Sequence, residues 1–249
     1  MWQRLKRLYH RLGSPKWFYD ITNRWIPWLV VLVVLGAAVG LTLGLAFAPI
    51  HSEQANSYRI IYIHVPAALV AQSAYMMMAV AGAVYLIWKM KMAAWVASVI
   101  APVGASFCLI ALFTGAIWGQ PTWGTWWIWD ARLTSMLVLL FLYFGVIAIT
   151  QAMDSEESGF KAAGIMSLVG LVNIPIIKYS VNWWNTLHQP ASLKVIEKST
   201  VDWSMLIPLL IMIITAYGFF ALLVILRTRN KILWHERKSR WVKAIMGGI

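Results

Sequence analysis

Residues 92–129 contain no charged side chain, a run of 38 positions. Water is a poor solvent for such a run, and lipid is a good one. Crossing ~30 Å of hydrocarbon takes about 20 helical residues. The run is therefore too long for one span, and its second half must be something else. The rest of the chain agrees with a membrane setting. Of 249 residues, 61% are hydrophobic and 12% charged, whereas a soluble domain is about 25% charged. This excludes a soluble globular protein, a disordered tail and a secreted disulfide scaffold. A single cysteine, Cys108, excludes an internal disulfide and a thiolate-built zinc site.

Six charge-poor stretches qualify as spans: about 25–48, 60–88, 92–117, 132–152, 160–179 and 203–227. A lone span must satisfy its backbone internally, and no ten-residue alternation suggests a barrel. The expected fold is an all-α polytopic membrane protein with six transmembrane helices, a single integral membrane domain over 1–249. Lys161 and Lys178 at the ends of the fifth span can snorkel to the interface. Gly36, Gly40 and Gly44 repeat a small-xxx-small pattern that either admits a close helix or is ordinary membrane glycine. Pro102, Pro175 and Pro208 fall inside spans as candidate kinks.

The net charge is +12. In so apolar a chain, basic residues set orientation rather than bind nucleic acid. The two termini and loops two and four carry sixteen Lys and Arg. The other face carries five: Arg59, Arg132, Lys178, Lys194 and Lys198. The positive-inside rule places both termini in the cytoplasm. No small-residue cleavage site follows the first span, which reads as an uncleaved anchor. The cytoplasmic loops are poor in chemistry. Loop two is Lys89-Met90-Lys91, and Asp154, Glu156 and Glu157 read as a solvated turn. His10 and His235, in the basic arms, read as solvated. No GxxxxGK[ST] or paired-carboxylate pattern suggests hydrolysis, so the chain reads as a carrier rather than an enzyme.

Loop three differs. Trp118, Trp123, Trp126, Trp127 and Trp129 fall within twelve residues, closed by Asp130 and Arg132. Gly119, Pro121 and Gly124 argue against a continuous helix, with a short helix expected from Thr125. Trp123 would then share a face with Trp126 or Trp127. An aromatic belt spreads its rings among several helix ends, whereas this cluster suits a flat apolar ligand. His64, one turn into the second span, and His188, in loop five, flank the cluster on the same outer face. Two imidazoles with an aromatic floor describe a haem site. Arg59 and Arg132 are candidate partners for the propionates, since guanidinium matches carboxylate geometry. Lys178, Lys194 and Lys198 are further candidates. His51, in a polar turn, is a weaker ligand candidate.

The run Trp123-Gly-Thr-Trp126-Trp127-Ile-Trp129-Asp130-Ala-Arg132-Leu-Thr resembles the WWD signature of the haem-handling proteins of cytochrome c biogenesis. Chain length, six spans and one histidine on each side of segment 118–132 resemble the CcmC family (cytochrome c maturation protein C, or haem exporter protein C). The related CcmF and CcsA families are larger, with more spans and histidines. The resemblance implies a protein of the bacterial inner membrane that binds haem b (iron protoporphyrin IX) at the periplasmic face. It implies delivery of that haem to the chaperone CcmE, assisted by CcmD, with the CcmAB transporter acting later. His64 and His188 match the axial ligands, and Trp118, Trp123, Trp126, Trp127, Trp129 and Asp130 match the haem-binding segment. No CxxCH is present, so the chain is not itself a c-type cytochrome. A b-type electron-transfer subunit and a non-haem permease or complex subunit are the competing readings.

Overall fold

The computed structural model describes residues 10–184 and 202–247. The described residues are helical with no strand, and six stretches are long and apolar enough to cross a membrane. Helix α1 (Pro15–Thr42) ends in a π-turn (Leu43–Phe47). A 3-10 turn (Asn56–Ile60) leads into α2 (Ile61–Trp88), followed by α3 (Lys91–Trp123) and α4 (Ala131–Ala152). The fifth crossing is two helices, α5 (Glu156–Gly170) and α6 (Asn173–Trp183). Helix α7 (Trp203–His235) and the short α8 (Arg240–Met246) complete the chain.

Several boundaries differ from the sequence reading, each for a local reason. Helix α1 starts ten residues early, because Ser14 caps the Trp17 amide and Pro15 suits the first helical turn. The break between α5 and α6 follows from Pro175, which has no N–H to offer the Leu171 carbonyl. The chain tightens there to i→i−3 bonds, such as Ile174 to Leu171 at 3.0 Å. The Asn173 amide donates across to the Ser135 carbonyl at 2.8 Å. At the start of α7, Asp202 accepts from the Ser204 amide and hydroxyl, which hold its carboxyl below the usual range.

The core lies where α2, α3 and α4 meet. Ala67, Ala71 and Ala74 of α2 share one buried cluster with Ala105 and Cys108 of α3, small residues that suit close helix packing. Tyr143 of α4 closes the junction and donates to the Ala71 carbonyl at 2.7 Å. Helix α1 packs mainly on α7. Gly36 faces Thr215 and Gly40 faces Met212, while Gly44 abuts the ring of Tyr62. The glycine pattern is therefore a close-approach surface. The opposite side of α1 exposes Trp28, Val34 and Leu35, as expected where the solvent is lipid.

The basic segments gather at one end. Arg229 of α7 donates to the Tyr19 carbonyl at 2.9 Å and lies 3.7 Å above the Tyr19 ring. Lys231 donates to Ser98 at 2.8 Å. His235, expected to be solvated, instead stacks on Trp95 and lies 3.2 Å from Glu156. Apolar stacking and a carboxylate hold it better than an isolated position in water. Glu156 correspondingly belongs to this junction rather than to a purely solvated turn.

Candidate functional site

At the opposite end, His64 occupies the first turn of α2. Its Nδ1 lies 3.0 Å from the Ala111 carbonyl and 3.1 Å from the Thr114 hydroxyl, both on α3. A carbonyl only accepts, and the Thr114 hydroxyl already donates to Ile110 at 2.7 Å. Nδ1 therefore carries the proton, which puts the lone pair of the neutral ring on Nε2. A backbone carbonyl on the remote nitrogen is a common way to orient a ligating histidine. Trp118 stands edge-on to the ring, centroids 5.6 Å apart. Its indole N–H donates to Gln54 at 3.0 Å, and Tyr58 packs against its other side.

His51 is wired the other way. Its Nδ1 accepts the amide N–H groups of Glu53 and Gln54 at 3.2 and 3.3 Å, and its ring stacks on Tyr58 at 4.4 Å. The neutral ring thus carries its proton on Nε2, and its lone pair is spent on the loop. His51→Ala is expected to cost about 1 kcal/mol of stability. Any haem absorbance should keep its wild-type band positions, read in purified protein. A displaced band would contradict this purely local role.

The tryptophan segment departs from expectation. Helix α3 runs on to Trp123, past Gly119 and Pro121, and stops at Gly124 with φ +76°. Pro121 forfeits one helical bond only, while Gly124 adopts the left-handed conformation that ends helices and donates to Gln120 at 3.0 Å. From Gly124 to Trp126 the chain bends and then runs on without regular structure to Asp130, so Trp123 does not share a helical face with Trp126 or Trp127. Thr125 makes a short turn onto Trp127 instead. The rings of Trp127 and Trp129 meet at 5.5 Å. Trp126 and Trp129 are 60% and 78% exposed. Trp123 folds back over Gly119, where a Cβ would lie 3.0 Å from its ring. Asp130 caps α4 by accepting the Leu133 amide at 2.7 Å.

The cations are partly committed. Arg59 Nη2 donates to the Ala48 carbonyl at 2.9 Å. Arg59 Nε, Arg132 Nε and Trp127 Nε1 are buried with no hydrogen-bond partner among the described residues. Buried donors without acceptors are rare and call for an explanation. An open cleft of about 690 Å³ between loop one and the end of α3 is lined by residues such as Gln54, Asn56, Thr122 and Trp123. His64 is not among them, so this cleft is not centred on the histidine. His188, Lys194 and Lys198 lie outside the described residues.

A family model described as Heme exporter protein C (CcmC) matches residues 8–243. The chain is 48% identical over 246 residues to the Heme exporter protein C of Escherichia coli (strain K12), covering 99% of this chain and 98% of that one. It is 42% identical to the Haemophilus influenzae protein of the same name, covering 98% of each. It is 43% identical to the Bradyrhizobium diazoefficiens protein, covering 92% of this chain and 86% of the other. The chain belongs to the haem exporter protein C family. The match spans His64, His188 and the whole of segment 118–132.

Sequence reasoning missed Gln54, Tyr58, Thr114 and Gly115. The i−4 and i−3 spacing of Thr114 and Gly115 from Trp118 was the available signal. It also passed over Tyr179, Trp183 and Trp184, whose rings form a second aromatic group at the end of α6, with centroids 5.5 and 5.8 Å apart along the run.

Proposed function

We propose that this protein binds haem on the face opposite its basic end and passes it to a haem chaperone, CcmE, during cytochrome c maturation. The observation that carries the reading is that three buried donors, Arg59 Nε, Trp127 Nε1 and Arg132 Nε, have no acceptor among the described residues, at the end of the molecule where Ala111 holds the Nδ1 proton of His64 and leaves Nε2 the basic nitrogen. Propionate oxygens suit such donors, and a porphyrin iron suits that nitrogen. The family relationship supports the same reading.

In this proposal His64 and His188 ligate the iron of haem b axially. His188 is four residues past Trp184, where α6 ends on this face. Past the segment that holds His188, Met205 and Leu209 of α7 pack with Tyr58 and Tyr62. Trp118, Trp123, Trp126, Trp127 and Trp129 wall the ring, Asp130 holds the segment to α4, and Arg59 and Arg132 neutralise the propionates. One ring edge stays open to the chaperone. Release must remain possible, since every 1.4 kcal/mol of extra affinity slows departure about tenfold at constant association rate. CcmD and the CcmAB transporter are the proposed neighbours, and the bacterial inner membrane the location. In this orientation the protein's basic end and both termini face the cytoplasm.

Purified full-length protein from haem-replete cells tests this reading. A Soret band is expected, with covalent haem on co-expressed CcmE. Arg59→Gln and Arg132→Gln are each expected to weaken haem retention about 10- to 100-fold, because a charge-assisted bond contributes about 1.5–3 kcal/mol. A protein with no Soret absorbance would refute the reading. If both arginine variants retained haem as wild type does, the propionate assignment would fall while haem binding stood.

A further inference from the structure

We propose that one face of α3, formed by Ala111, Thr114, Gly115 and Trp118, is a socket that orients His64, with Thr114 and Gly115 as positioning residues. This rests on His64 being an iron ligand, and it adds what sets the ring's tautomer and plane. The four positions follow i, i+3, i+4 and i+7, so a single helical stripe faces the imidazole. Each supplies something different. The Ala111 carbonyl accepts the Nδ1 proton at 3.0 Å. The Thr114 hydroxyl stands at 3.1 Å from the same nitrogen. It donates to Ile110 at 2.7 Å and lies 3.2 Å from the Ala111 carbonyl, so it faces His64 as an acceptor.

Gly115 supplies space. A Cβ there would lie 3.0 Å from His64 Cε1 and 3.5 Å from Nδ1. The nearer contact is tighter than a side chain normally tolerates, so any larger residue turns or displaces the ring. Trp118 stands edge-on to the ring, with centroids 5.6 Å apart and a 78° interplanar angle. It is itself pinned by Gln54 through a 3.0 Å bond across 64 positions of chain. Partners of a ligating histidine's second nitrogen typically change metal affinity by about 10–100-fold. The ring's rotation about Cβ–Cγ sets the imidazole plane over a porphyrin, and hence the low-spin ferric g values.

Full-length protein purified with haem provides the test, through Thr114→Val, Thr114→Ser, Gly115→Ala and His64→Ala. Two quantities are read: the ferric electron paramagnetic resonance spectrum and the rate of haem loss to an excess of a soluble haem scavenger. Thr114→Val is expected to lose haem about tenfold faster than wild type, and Thr114→Ser to match wild type. Gly115→Ala is expected to shift the g values. If Thr114→Val and Gly115→Ala both match wild type in both readouts, the socket is refuted. If Thr114→Val does not fold, the decision passes to Gly115→Ala: shifted g values uphold the socket, and unchanged values refute it. A His64→Ala protein with an unaltered spectrum refutes the ligand reading itself, whatever the α3 variants do.

Discussion

Full-length protein carrying His64→Ala is expected to lose haem at least about 100-fold faster than wild type. Its low-spin signature should collapse, and CcmE should no longer become loaded. The magnitude follows from comparison. Disturbing a residue behind a metal ligand costs about 10–100-fold in affinity, and deleting the ligand itself must cost more. His64 meets the structural requirement for a ligand, because its remote nitrogen is held by Ala111 and Thr114 and its ring is boxed by Trp118. His188→Ala is expected to act in the same direction. The contrast is His51→Ala, since the His51 lone pair is already taken by two backbone amides. If His64→Ala and His188→Ala both loaded the chaperone normally with unchanged spectra, the axial assignment would be wrong.

Gly104→Val is expected to prevent assembly of the helical core. A Cβ at Gly104 would lie 2.6 Å from Tyr143 Cε1, with the hydroxyl closer still. Tyr143 has no accessible surface, donates to Ala71 at 2.7 Å and meets the Tyr75 ring edge-on at 5.1 Å. It cannot move aside without breaking the junction of α2, α3 and α4. Overpacking a core costs about 1–3 kcal/mol, and losing a buried hydrogen bond about 1–3 kcal/mol more. Together these come to about 2–6 kcal/mol, which at its upper end matches the whole stability of a marginal domain, roughly 5 kcal/mol. Because His64 sits on α2 and its partners Ala111 and Thr114 on α3, the proposed haem site should be lost with the core. Thermal unfolding of detergent-purified protein, together with its abundance in membranes, measures the effect. A milder pair sharpens the test. Gly104→Ala alone should destabilise clearly, and its combination with Tyr143→Phe, which removes the nearest clashing atom, should cost less than the sum of the two single variants. A Gly104→Val protein as stable as wild type would show that the helices are not packed this closely.

Much of the architecture was legible in one dimension. Hydropathy is a sum over neighbours in the chain, so the six spans emerge from runs such as 92–129 and 203–227. The clustering of indoles and the placement of His64 at a span's edge are likewise local facts. Boundaries were less legible, because capping acts through single residues. Ser14 extends α1 outward, and Gly124 rather than Pro121 ends α3.

The sequence by itself determined that this chain lives in lipid, how many times it can cross, and that five tryptophans cluster in one loop, on the same side as His64. Only the tertiary structure decided which nitrogen of His64 carries the proton and why His51 is not its equivalent. It also decided that the glycines of α1 meet α7 and that Trp118 guards the histidine. The physical reason is range. Lipid selects side chains one position at a time, but a hydrogen bond between His64 and Ala111 joins residues 47 positions apart. Nothing in the composition of either segment specifies the other until the helices are packed.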